Sequence, residues 1–213
     1  MTTFLLVRHG ESDANCEGFF AGQYDVNLRE KGILQAKKTA QFIADNFNID
    51  VVYASDLKRA YKTGEIIAGI SGVDIVADEG LREIYAGQWQ KKKFDHLVSE
   101  FGDTYSVWLD DIGNCRCDGG ESVKELGERV LNTLTNIAEN NPDKTIAIAT
   151  HATPIRAIEC LAGGHPIEYM RNIPWVSNAS VTEISYDKGE WNLVNIGMDE
   201  HLSELKTTFP ANV

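Results

Sequence analysis

Phe4-Leu5-Leu6-Val7-Arg8-His9-Gly10-Glu11-Ser12 decides the fold. Four apolar residues in a row have the pattern of a short buried strand. The run breaks at Arg8-His9-Gly10, where a cation, an imidazole and a glycine meet at a strand end. In an open α/β sheet, ligands bind in the crevice beyond the carboxyl ends of the strands. An imidazole placed there can attack phosphorus, and a neighbouring guanidinium can hold phosphate oxygens in a planar fork. The same two side chains could also do no more than solvate a strand end.

A second stretch repeats the pattern. Thr145-Ile146-Ala147-Ile148-Ala149-Thr150 reads as a buried strand and ends at His151-Ala152-Thr153-Pro154, where a helix begins with proline near its start. One histidine in such a place is more often a satisfied structural group. Two in matching contexts can face one another across a single crevice. Ile49 to Ala54 reads as another buried strand, with Ser55 as the N-cap of a helix that carries Arg59 in its first turns. That puts Arg59 on the same sheet edge as Arg8, beside a helix N-terminus that favours anions. An ordinary surface arginine is the alternative.

The rest of the chain fills in around these strands. Asp13 to Asn27 reads as a loop over the site, and Asn27 as the N-cap of a helix from Leu28, with Ile33, Ala36, Ala40, Ile43 and Phe47 at helical spacing. Gly32 weakens its first turn. Val73 to Ala77 reads as an edge strand. Glu83, among apolar residues and before Gly87, is a candidate for a carboxyl with a raised pKa, or else an ordinary solvated carboxylate. Lys91 to Glu121 suggests short amphipathic helices forming a lid-like insert. Its Lys91-Lys92-Lys93 run reads as a solvated face before a substrate grip. A helix from Ser122 buries Val123, Leu126, Val130, Leu134 and Ile137, and Asn141-Pro142 stops it. Val181–Tyr186 and Trp191–Ile196 alternate around Asp187-Lys188-Gly189-Glu190, a hairpin that closes the sheet. The tail from Glu200 is polar and expected to be loosely ordered.

Composition sets the outer limits. The 213 residues fit one domain, 1–213, with a helical insert at about 90–120, and 43% hydrophobic content suffices for a sizeable core. No apolar run is long enough to span a bilayer, and Met1-Thr2-Thr3 leaves no room for a signal peptide before the first strand. Cys16, Cys115, Cys117 and Cys160 are scattered, and Cys115-Arg116-Cys117 is too tight for the usual zinc spacings, so free thiols in a reducing cytoplasm are expected. A net charge of -12 argues against nucleic acid or an anionic membrane as partner. An acidic protein that binds a phosphoester must concentrate cations locally, and Arg8, Arg59 and the two histidines are the candidates.

Arg8-His9-Gly10-Glu11-Ser12 with Asn15 resembles the signature of the histidine phosphatase superfamily. Its branches include cofactor-dependent phosphoglycerate mutases, fructose-bisphosphatase-type enzymes and alpha-ribazole-phosphatase-like phosphatases. Ser55 to Arg59, Leu81 to Gly87 and Ala149 to Thr153 match the later motifs in the family's order. The resemblance implies a three-layer α/β/α sandwich with a mostly parallel sheet and a histidine acid phosphatase-type phosphoric monoester hydrolase. It implies His9 as nucleophile, Glu83 as proton donor, and Arg8, Asn15, Arg59, His151 and the backbone of Ala152 as phosphate ligands. Gly22 and Gln23 are candidate substrate-binding residues. Glu11 is placed to help orient an arginine. No metal or cofactor is implied; the expected partner is a small phosphomonoester, with a homodimer allowed.

Two departures from the family pattern bear on function. Ala152 stands where a glycine is usual, and keeps the backbone N–H. Ala86 stands where the mutases carry a tyrosine, and the following segment offers only Arg116 where they use paired arginines to grip a carboxylate. A phosphatase acting through phosphohistidine is therefore expected ahead of a mutase. A non-catalytic binding module of the same fold would have lost the nucleophile or a phosphate arginine, and none is lost.

Overall fold

The computed structural model describes residues 1–207. Six strands form one sheet in the order β3-β2-β4-β1-β5-β6: β1 Thr2–Arg8, β2 Val51–Ala54, β3 Ile75–Ala77, β4 Thr145–Thr150, β5 Val181–Asp187 and β6 Glu190–Met198. The first four are mutually parallel, and β5 and β6 close one edge antiparallel. Helices are α1 Asp13–Glu17, α2 Glu30–Asn46, α3 Lys58–Ser71, α4 Phe94–Asp110, α5 Val123–Asn140 and α6 Ala152–Ala162. This is the mixed α/β architecture, with a mostly parallel sheet, that the family resemblance implies.

The apolar run of β1 explains the layering. Successive side chains of a strand point to opposite faces. Leu5 and Val7 pack with Ala40 and Ile43 of α2 and Ile67 of α3. Phe4 and Leu6 pack with Val130 and Leu134 of α5 and Ile155 and Ile158 of α6. A strand apolar on every residue can only be satisfied between two helical layers, and each fully buried Leu or Ile contributes roughly 1.5–3 kcal/mol.

Register brings the two histidines together. Arg8 pairs with Thr150 at the ends of β1 and β4, so His9 and His151 leave the sheet side by side. Ala54 of β2 pairs with Ala149, which puts Ser55 next in the same row.

Several boundaries differ from the sequence expectation. Asp13 to Asn27 is not all loop: α1 opens it, capped by a reciprocal Ser12–Asn15 box. Helix α2 begins at Glu30 with Arg29 as N-cap, not at Leu28, because the Asn27 carbonyl accepts from Asp13 N and Arg29 N donates to Glu11 O. Helix α3 begins at Lys58 with Leu57 as N-cap; the Ser55 hydroxyl, two residues earlier, accepts from Leu57 N at 3.3 Å and meets His151 Nε2 at 2.9 Å. The insert is α4, whose helical run breaks at Gly102, and it docks through Trp108 and Tyr105 on Phe20 and Trp89. The β5–β6 hairpin turns on Lys188 and Gly189, both at positive φ, as a tight two-residue loop requires. The tail is ordered where described: Leu202 is fully buried, and His201 stacks on Phe42 and meets the Thr39 hydroxyl at 2.9 Å. Residues 208–213 of that tail lie outside the described residues. Among the described residues, no helix is long and apolar enough to cross a membrane.

Candidate active site

His9 is almost fully buried at the end of β1. Its Nδ1 lies 2.7 Å from the Gly10 carbonyl oxygen, which can only accept, so Nδ1 carries the proton. Nε2 is then a lone pair, and Arg59 Nε donates to it at 3.2 Å. Burial, then the charges of Arg59 and Arg8, hold the imidazole well below its ordinary pKa, so it is neutral at pH 7. His151 is fully buried with its ring edge-on to His9, centroids 5.2 Å apart. Its Nε2 meets Ser55 Oγ at 2.9 Å, while Nδ1 is buried with no partner among the described residues.

Both arginines are held by backbone. Arg59 donates to the carbonyls of Gly22 at 2.7 Å and Tyr24 at 3.2 Å, and Arg8 to that of Val176 at 2.6 Å. Burial lowers each guanidinium to about 10, still fully charged at neutral pH. Glu83 sits on the segment between β3 and α4, its Oε1 accepting from Ile84 N at 2.8 Å and its Oε2 from Thr153 N, in the first turn of α6, at 3.4 Å. Burial raises its pKa, against the pull of those N–H groups and Arg59. The site is a cationic pocket with one carboxyl reluctant to ionise.

Other expected residues take supporting positions. Gly22 lends its carbonyl to Arg59, and Gln23 donates to the Glu83 carbonyl at 3.1 Å. Asn15 is exposed and occupied in the Ser12 cap, its Oδ1 also accepting from Asn178 Nδ2 at 3.3 Å. Ala152 opens α6, directly after His151. The Glu11 carboxylate meets no arginine among the described residues: it pairs with Lys31 at 3.1 Å, which α2 brings against it. The lysine run is the solvated face expected, Lys91 and Lys93 exposed and Lys92 half-exposed, with local partners. Lys91 lies over the Tyr24 ring at 4.0 Å, Lys92 pairs with Glu100, and Lys93 donates to the Glu17 carbonyl.

Asn178, Thr63 and Ser55 also build the site, and motif reasoning did not give them these roles. Asn178 Nδ2 donates to the His9 carbonyl at 2.9 Å, and Gly10 N donates to Thr63 Oγ1 at 3.2 Å. The only signal for Asn178 was its place in Ser177-Asn178-Ala179-Ser180, a polar cluster before an alternating strand.

This geometry, with a match of residues 4–199 to the family model for the histidine phosphatase superfamily (branch 1), identifies the class: the chain belongs to that family. A putative phosphoserine phosphatase 2 from Hydrogenobacter thermophilus is 31% identical over 96% of this chain and 100% of its own length. A probable phosphoglycerate mutase GpmB from Salmonella choleraesuis is 31% identical over 90% and 88%. Among solved structures, YhfR from Bacillus stearothermophilus superposes with a TM-score of 0.90 at 27% identity, covering 95% of this chain and all of that one. An alpha-ribazole phosphatase from Shigella flexneri, with a TM-score of 0.78 and 24% identity over 92% of this chain and 96% of its own, shares the fold.

Proposed function

We propose that this protein is a phosphomonoester phosphatase that works through a phosphohistidine on His9. The His9 ring carries the proposal: neutral, its proton fixed on Nδ1 by the Gly10 carbonyl, its Nε2 lone pair turned to the cationic pocket. Nε2 attacks phosphorus, and the bond to the leaving oxygen breaks. Glu83, whose protonated form burial favours, gives that oxygen its proton. The resulting carboxylate then takes a proton from water, which attacks the phosphohistidine and releases phosphate and free His9. Arg8, Arg59, the α6 N-terminus at Ala152 and His151 Nδ1 stabilise charge on the phosphoryl oxygens. A buried ring nitrogen without a partner costs roughly 1–3 kcal/mol, a cost that a phosphoryl ligand would offset.

Phosphatase is favoured over mutase by the arginines near the third motif. A mutase must hold the carboxylate of its half-reacted substrate. Here Arg82 is paired with Asp56 and Glu79, and Arg116 with Glu125 at 2.5 Å. The relative named as a phosphoserine phosphatase makes O-phosphoserine the first substrate to try. The test is phosphate release over a panel of phosphoserine, sugar phosphates, nucleotides and 3-phosphoglycerate, with isomerisation of 3-phosphoglycerate followed in parallel. Isomerisation faster than phosphate release would replace the phosphatase with a mutase.

A further inference from the structure

We infer that Arg129, together with Glu121, is the positioning device for Glu83; this rests on the proposal that Glu83 is the general acid. Residues 82–86 belong to no helix or strand, so no ladder of hydrogen bonds defines their path. Arg129, two turns into α5, supplies the definition instead. Its Nη1 donates to the carbonyls of Gly80 at 2.9 Å and Arg82 at 3.1 Å, and its Nη2 to that of Glu83 at 3.4 Å. Nε and Nη2 each reach one oxygen of Glu121 at 2.9 Å. All five guanidinium donors are thus spent, three on the backbone that carries Glu83.

Glu121 extends the clamp by one residue. Its backbone N–H donates to the Tyr85 carbonyl at 2.8 Å, and its carboxylate accepts from Tyr85 N at 3.2 Å. Gly120 lets the two segments approach: a methyl there would stand 2.2 Å from the Tyr85 oxygen. Glu83 is therefore held from behind, from Gly80 to Tyr85, by one ion pair at the start of a rigid helix. A lysine keeps the charge but cannot address three carbonyls and a carboxylate from one planar fork. Arg129 touches no reacting atom. It acts through the acid.

The test is the single-turnover rate of phosphoenzyme formation, with an alkyl phosphate and with p-nitrophenyl phosphate, whose departing phenolate needs no proton. Arg129→Lys should slow the alkyl substrate by roughly 10–10²-fold, the scale of a small misplacement of a catalytic group, and p-nitrophenyl phosphate by no more than about threefold. Adding Arg129→Lys to Glu83→Gln should then slow the alkyl substrate no further than Glu83→Gln alone. Equal losses on both substrates, or none on either, would overturn the inference while leaving Glu83 as acid intact. Equal losses on both substrates in Glu83→Gln itself would remove the acid and the inference together. Should Arg129→Lys fail to fold, Glu121→Gln is read in its place, with the same selective loss expected.

Discussion

At Glu83 two environments compete. Burial favours the protonated carboxyl, while Ile84 N, Thr153 N and Arg59 favour the carboxylate; burial is the stronger, and the pKa is raised. A general acid matters most when the departing alkoxide is a strong base. Glu83→Gln should accordingly slow phosphoenzyme formation from alkyl phosphates by roughly 10²–10⁴, and from p-nitrophenyl phosphate much less. In the proposed reaction, His9 and Glu83 together set the pH profile. His9 must be neutral, and its pKa is lowered by burial and by Arg59, so the rate rises with pH through a value below 6.5. Glu83 must be protonated, so the rate falls with pH through a value above 4.5. Single-turnover profiles on an alkyl phosphate should lose the alkaline limb in Glu83→Gln and keep the acid one. An alkaline limb that survives the substitution would belong to another group.

The elements were legible where one local force dominates. β1 and β4 each carry an apolar run, Phe4 to Val7 and Ile146 to Ala149, with a histidine directly after the strand, and both lie where the run of side chains predicts. Helix starts are less legible where a side chain or carbonyl also answers to a distant partner: Ser55 Oγ meets His151, 96 residues on, as well as Leu57 N, and α3 begins two residues later than Ser55 as N-cap implies. Gly32, which reads as a weak point in α2, has a packing reason. A methyl there would stand 2.1 Å from the Glu11 carbonyl oxygen, so the glycine lets α2 press against the loop that carries His9. Gly32→Ala should cost roughly 1–3 kcal/mol of stability by overpacking and lower turnover as that loop shifts, checked by thermal melting and kcat.

Helix α6 buries a second carboxyl, one that the proposed reaction does not use. Glu159 is fully buried, its Oε1 accepting from Thr182 Oγ1 at 2.6 Å, and burial lifts its pKa from 4.5 to about 7. A carboxyl raised on folding binds more protons in the native state. Its contribution is intact below pH 4.5 and is lost as pH rises toward about 7, a change on the order of 3 kcal/mol. Denaturant melts across that range should show stability falling less steeply with pH in Glu159→Gln than in the parent. Identical slopes would mean that Glu159 does not titrate there.

For the molecule as a whole, the informative contrast is between a net charge of -12 and a pocket built on two buried guanidiniums. The carriers of that pocket could be read from sequence, because Arg8, His9, Arg59 and His151 stand at strand ends or just inside the helix that follows. Its scaffold could not. Asn178 reaches the His9 carbonyl from 169 residues away, and Arg129 grips backbone oxygens that any residue would present. Backbone acceptors leave no mark on composition or periodicity. A divalent cation in this pocket would sit against Arg8 and Arg59, so EDTA should leave turnover unchanged. Activity lost to EDTA and restored by one metal would contradict this.

Everything proposed for the pocket turns on a covalent bond between His9 and phosphorus. Rapid quenching with a ³²P-labelled phosphomonoester, followed by peptide mapping in alkali, tests it most directly. Acid-labile, alkali-stable label is expected on the peptide carrying His9, formed at least as fast as turnover and absent from His9→Ala. Label on another residue, or turnover that persists at the full rate in His9→Ala, would contradict it.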